Sequence, residues 1–179
     1  GLGKKPRRLA PADSSVSRLA ISPDGAKLLV SSRRAVAGIL RGSKEDVVKE
    51  FDLEAGSWST RTWTGLREAS YLDAASLVAI APRGMETDLV LVDGQSRSRL
   101  LLQGSERLSF GSPLVLGSRL YCLASREGQR LILRLGLVPG AAEGVEYLDV
   151  SELAIDGSAP ALNWLGGGRG LLAFSLAWP

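Results

Sequence analysis

The chain has 179 residues, 45% of them hydrophobic, with 22 lysines and arginines against 19 aspartates and glutamates and no histidine. That length suits one domain with a core of its own, while the single Cys122 excludes an intrachain disulfide. The lack of histidine excludes the common zinc ligand sets and the Ser-His-Asp and Cys-His catalytic arrangements.

The formal charge of +3 traces to Lys4, Lys5, Arg7 and Arg8, so the rest of the chain is nearly neutral. A nucleic-acid binder carries a broader basic excess with aromatics free to stack, and none is expected here. No run of about 18 uncharged apolar residues occurs, so no membrane-spanning helix is expected. The opening "GLGKKPRRLAP" lacks the apolar segment of an export signal. The chain starts without Met and stops inside apolar "AFSLAWP", which reads as a trimmed piece of a longer polypeptide.

In chain order, Arg7 to Leu9 reads as a short leading strand. "LAISPDGAKLLV" (Leu19 to Val30) then has the pattern of a β-hairpin. Pro23 presets φ, Asp24 caps the turn with its side chain, and Gly25 accepts a positive φ. Next come "DVVKEFDL" and "WSTRTWT", two strands split by "EAGS". "SKEDVVKEFDLEAG" also has helical features, with Ser43 as N-cap and Val47 and Phe51 four apart. Strand is the preferred reading, because the corresponding "TDLVLVDGQ" is apolar, strand-like and bounded by a Gly turn.

The hairpin then recurs as "ASYLDAASLVAI", "SPLVLGSRLYCL" and "PALNWLGGGRGLLAF". The anchors Gly25, Ala75, Gly117 and Gly168 repeat roughly every 40–50 residues, the period of a four-stranded propeller blade. "TDLVLV" with "SRSRLLL", and "RLILRLGL" with "VEYLDV" across the longer "VPGAAEG", complete the second and third units. The expected fold is therefore all-β: about four antiparallel four-stranded blades forming part of a β-propeller. Residues 1–15 are the end of a preceding blade and a linker. Residues 16–65, 66–107 and 108–153 are blades, and 154–179 is half a blade.

"KKPRRLAP", "SVSRLAISPDGAKLLVSS" and "EFDLEAGSWSTRTWT" together resemble TolB-type, WD-repeat-like β-propellers, with Ser22-Pro23-Asp24-Gly25 matching the turn of that family in full. The later turns match only in pattern. The resemblance implies missing blades, since closure takes about four to eight. They would come from the rest of the native chain, another subunit or a second copy; a compact four-bladed closure completed by Arg7 to Leu9 is the alternative. It also implies a non-catalytic scaffold that binds a protein or peptide partner, located in the periplasm or cell envelope, as in propeller lipoproteins. Another reading is the gating propeller of a larger hydrolase, such as a prolyl-oligopeptidase-like peptidase, whose catalytic domain lies outside these residues. A third is a structural subunit completed by another chain.

Arg33 and Arg34, Arg83, and Arg126 follow the second strand of successive units at matching offsets. With Arg41 and Lys44 they are expected to form a basic rim on one propeller face, receiving an acidic or phosphate-bearing partner. The competing expectation pairs these arginines with Glu45, Asp46, Glu86 or Glu127. Cys122, in "RLYCLAS", is expected to be buried and inert. The glycine-rich "LGGGRG" is expected to be a turn, not a phosphate cradle, because no helix pattern follows it. Trp58, Trp63, Trp164 and Trp178 are expected to pack between blades, each indole N–H finding a carbonyl. Asp24, Asp73 and Asp93 are assigned to turns. No catalytic residue, cofactor or metal is expected in this chain.

Overall fold

A computed structural model of the chain describes residues 14–35, 44–138, 141–151, 160–164 and 172–176. Its first sheet contains β1 (Ser14–Ile21), β2 (Lys27–Ala35), β3 (Lys44–Asp52) and β4 (Ser57–Thr64). The second contains β5 (Glu68–Tyr71), β6 (Leu77–Arg83), β7 (Glu86–Val92) and β8 (Ser98–Leu102). The third contains β9 (Leu108–Leu116), β10 (Arg119–Arg126), β11 (Gln129–Val138) and β12 (Ala141–Asp149). A two-stranded sheet, β13 (Pro160–Trp164) with β14 (Leu172–Leu176), follows. Each sheet is an antiparallel meander in chain order.

Turn chemistry sets where each strand ends. In the first hairpin the Asp24 carboxylate accepts hydrogen bonds from Ser22 Oγ at 2.6 Å and from the Ala26 N–H at 3.0 Å, and Gly25 takes φ +74°. Asp73 accepts from the N–H groups of Ala75 and Ser76, both at 2.7 Å. Asp93 accepts from those of Gln95 and Arg97, both at 2.9 Å. These are Asx-type turns, in which a short carboxylate replaces the missing backbone partner.

β3 is a strand and not a helix. It pairs with β2 from Lys27↔Asp52 to Ala35↔Lys44, placing Arg33 opposite Asp46 and Arg34 opposite Glu45. Those cross-strand charge pairs outweigh the helical spacing of Val47 and Phe51. The expected loop "VPGAAEG" is shorter than the sequence suggests. Pairing resumes beyond a bulge between Arg134 and Gly136 and continues through Val138↔Ala141, so only residues 139–140 separate β11 from β12. Alanine and a bulge glycine, Gly144 at φ +63°, do not stop a ladder.

The core lies between sheets. Leu29, Val48 and Trp63 of the first meet Tyr71, Leu77, Ala79 and Val90 of the second. Val78, Ile80 and Leu89, on the opposite face of the second sheet, meet Phe110, Leu120, Leu133 and Leu135 of the third. β6 is thus buried on both faces, which explains its unbroken apolar run "LVAIA". Each buried Leu, Ile, Val or Phe among them contributes about 1.5–3 kcal/mol. β5 neighbours β1 on one side and β9 on the other, and β13 lies beside β9, so the first strand of each sheet lies on one common inner side. The outer face of the first sheet leaves Leu19 58% and Ile21 63% exposed. The expected leading strand at Arg7 to Leu9 lies outside the described residues.

Candidate binding surface on the inner strands

Arg33 and Arg34, Arg83 and Arg126 stand at the same end of β2, β6 and β10. Their charges, however, are engaged locally. Arg33 Nε donates to Asp46 Oδ1 at 2.7 Å, and Arg34 reaches Glu45 at 2.7 Å. Arg83 Nε donates to Asp88 at 3.0 Å, and its other nitrogens reach Glu86 and the Gly104 carbonyl. Arg126 lies over the Tyr147 ring, 5.1 Å from its centre. Lys44 is exposed at the start of β3, and Arg41 lies outside the described residues.

Two of these pairs form a repeated clasp. Asp46 also accepts from Arg67 Nε at 3.2 Å, and Asp88 from the Gly104 N–H at 2.9 Å, so each aspartate ties its own sheet to the segment leading into the next. Burial alone would raise the Asp46 pKa, but hydrogen bonds from Arg33 and Arg67 hold it below the usual carboxylate value. The bond from Arg83 does the same for Asp88. The matching arginine offsets therefore have a structural cause.

A second surface was not foreseen. The turn ends of β1, β5 and β9 enclose a cavity of about 760 Å³ lined by residues 18–23 and 25, 70–72 and 114–117. Arg18 is its one charged lining residue, and its Nη2 donates to the Pro113 carbonyl of β9 at 2.8 Å. Burial pulls the Arg18 pKa down, and the nearby Glu68 carboxylate opposes that. Glu68 accepts a hydrogen bond from the Ser112 N–H, where β9 takes φ +50°. Arg18, Glu68, Ser112 and Pro113 thus come together from three strands. Nothing in their spacing along the chain signals this, because the strands meet only through the stacking of sheets.

Behind the lining residue Tyr71, Glu50 of β3 is 1% exposed and accepts from Lys27 Nζ at 3.2 Å, Arg61 at 3.4 Å and the Tyr71 hydroxyl at 3.0 Å. Its one sequence signal is a charge inside the apolar run "VVKEF". Trp63 is buried between sheets as expected, with Arg61 over its ring at 4.9 Å. Its Nε1 has no hydrogen-bond partner among the described residues, contrary to the expected carbonyl. Trp58 is only half-buried and meets Phe51 edge to face. Trp178 and the glycine-rich turn lie outside the described residues, as does the side chain of Trp164. Cys122 is buried, and burial pushes its thiol up to about 12. Among the described residues no three potential metal ligands converge, and no helix is long and apolar enough to cross a membrane.

No protein-family model and no curated sequence matches the chain. Solved structures do. A prolyl endopeptidase matches 98% of this chain with TM-score 0.63 and 16% identity, over 26% of its own length. Prolyl oligopeptidase B from Galerina marginata matches 94% with TM-score 0.56 and 11% identity, again over 26% of its length. Oligogalacturonate lyase from Vibrio parahaemolyticus matches 79% with TM-score 0.51 and 15% identity, over 42% of its length. The chain spans about a quarter of those peptidases and under half of the lyase. At such identities the likeness is one of fold, and the part matched is the propeller: the chain is an all-β portion of a β-propeller, built of four-stranded antiparallel blades.

Proposed function

We propose that this chain is the propeller portion of a larger hydrolase of the prolyl-oligopeptidase kind, in which the propeller screens access to a catalytic domain outside these residues. The observation that carries this reading is a match across 98% of this chain to about a quarter of a prolyl endopeptidase. The described residues fit a non-catalytic role. Their arginines clasp one sheet to the next, and their buried thiol is held unreactive. Blades beyond this arc would close the ring and cover Leu19 and Ile21.

The test is the intact mass and full sequence of the protein from its source, with labelling by a fluorophosphonate probe. The expected result is a longer polypeptide that carries a G-x-S-x-G elbow with a later Asp and His and labels at that serine. A native protein without the elbow and without labelling would overturn the peptidase reading.

A second reading rests on the Ser22-Pro23-Asp24-Gly25 turn and its side-chain cap. This is the feature that resembles TolB-type propellers, and it supports a scaffold of the bacterial cell envelope that binds a protein partner. Its sign would be a native chain that is all propeller and fractionates with the envelope.

A further inference from the structure

Two buried polar groups of the first sheet, Ser31 Oγ and Trp63 Nε1, have no hydrogen-bond partner among the described residues. Ser31 is 1% exposed and Trp63 5%. Folded proteins supply nearly every such group with a partner, from the chain or from an ordered water.

Register puts both groups on one face. Ser31 stands opposite Val48, and Val48 opposite Trp63, so the three form one row across β2, β3 and β4. Two residues away on one side lies the row of Leu29 and Glu50, and two residues away on the other lies that of Arg33 and Asp46. Alternate residues of a strand share a face. Glu50 meets Tyr71 and Asp46 meets Arg67, so this is the face turned to the second sheet. There Ala69 stands opposite Ala79, both fully buried and in one cluster with Val48 and Trp63. The two alanines bring no polar group and take up little volume. The joint between the second and third sheets is built differently. Its buried Thr87 Oγ1 accepts from the Phe110 N–H at 2.7 Å and donates to the Phe110 carbonyl at 3.2 Å, so the chain alone satisfies it.

The chemistry of the two groups names their partner. An indole N–H only donates, whereas a hydroxyl both donates and accepts. The partner must therefore accept from Trp63 and bond Ser31. It carries no charge, since a buried charge would need a counter-ion. It is also small enough to be enclosed by Leu29, Val48, Leu66, Ala69 and Ala79, which are 0–8% exposed.

We propose that one ordered water is built into the joint between the first two blades, accepting a hydrogen bond from Trp63 Nε1 and bonded to Ser31 Oγ. It completes a polar layer that runs from the Arg33–Asp46–Arg67 clasp to Glu50, and it holds the Trp63 ring whose face Arg61 covers. The inference concerns this joint alone and is independent of the hydrolase reading.

The test is a high-resolution crystal structure of the full chain, with water-selective NOE spectra of the same protein labelled with nitrogen-15. The crystal is expected to show one water within about 3.2 Å of both atoms. The spectra are expected to show a water cross-peak at the Trp63 indole N–H, assigned by its loss in Trp63→Phe. Ser31→Ala removes one of the two partners with little change of shape. It is expected to shift the Trp63 indole resonance and weaken that cross-peak, leaving the indole of Trp58, paired with Phe51 on the other face, in place. If Ser31→Ala does not fold, the crystal structure and the parent spectrum decide the matter. A direct Trp63–Ser31 bond, an indole bonded to a carbonyl, a site without water, or a Trp63 resonance unmoved by Ser31→Ala would each overturn the proposal. Serine labelling reads the hydrolase question separately, so the two can fail independently.

Discussion

The Tyr71 hydroxyl of the second sheet donates to the Glu50 carboxylate of the first at 3.0 Å, joining two blades through a buried acid. Lys27 and Arg61 flank the same carboxylate, so its charge is matched inside the interface. Burial of Tyr71, and then its bond to the Glu50 carboxylate, push its hydroxyl to ionise well above its ordinary value.

Removing that donor leaves a buried acceptor short of a partner. Tyr71→Phe is expected to lower stability by about 1–3 kcal/mol. Glu50→Ala removes the shared partner of Lys27 and Arg61, which are 33% and 25% exposed, and is expected to cost about 1–3 kcal/mol. Urea unfolding checks both, and a Tyr71→Phe protein as stable as the parent would show that the pair contributes nothing.

The two clasps make stability acid-sensitive. Asp46 and Asp88 ionise below their unfolded value of about 3.9, because their native pKa values are held down by Arg33 with Arg67 and by Arg83. Their contribution is complete above the unfolded value and disappears as pH falls through the native ones. Asp46→Asn is expected to reduce stability at pH 6 by about 1–3 kcal/mol and to flatten the decline at lower pH. Urea midpoints measured across that range would count against the clasp if parent and variant fell in parallel.

Two glycines separate space from conformation. A Cβ on Gly104 would lie 2.1 Å from the Thr87 carbonyl oxygen, where backbone meets backbone. Gly84 has open space but takes φ +66° at the β6–β7 turn. Gly104→Ala is expected to cost about 3 kcal/mol or more, through forced separation of the second blade from the connection to the third. Gly84→Ala should cost about 1–2 kcal/mol for the left-handed backbone alone. Thermal melts giving the reverse order would refute this assignment.

Cys122 is expected to resist iodoacetamide in the native protein at pH 8, since thiolate is the reactive form and burial pushes the thiol up to about 12. Unfolding in guanidinium should restore alkylation. Rapid native labelling, followed by mass spectrometry, would mean that the second and third blades open far more readily than their shared core implies.

Much of the fold was legible because turns are local. Asp24, Asp73 and Asp93 announce their hairpins through chemistry confined to four or five residues. At the β11–β12 connection the structure departs from the sequence, because proline and glycine in "VPGAAEG" suggest a loop, whereas cross-strand pairing past a bulge decides where a strand ends.

The candidate site divides in the same way. The recurrence of Arg33, Arg83 and Arg126 was visible in the sequence, and so was their placement at one end of successive sheets. Whether those charges reach solvent or turn onto Asp46, Asp88 and the Tyr147 ring depended on which side chains the folded sheets bring beside them. Those are directly opposite for Arg33 but diagonal or two strands away for Arg83 and Arg126. The cavity was not legible at all. Arg18, Glu68 and Pro113 lie about 45 to 50 residues apart and meet only when three sheets stack with their first strands inward. The amino-acid sequence by itself determined the hairpins, the repeat and the blade, because those rest on backbone turns and side-chain alternation over short distances. The tertiary structure alone decided which polar groups meet between blades and what the inner strands enclose, because such contacts exist only once apolar faces have packed.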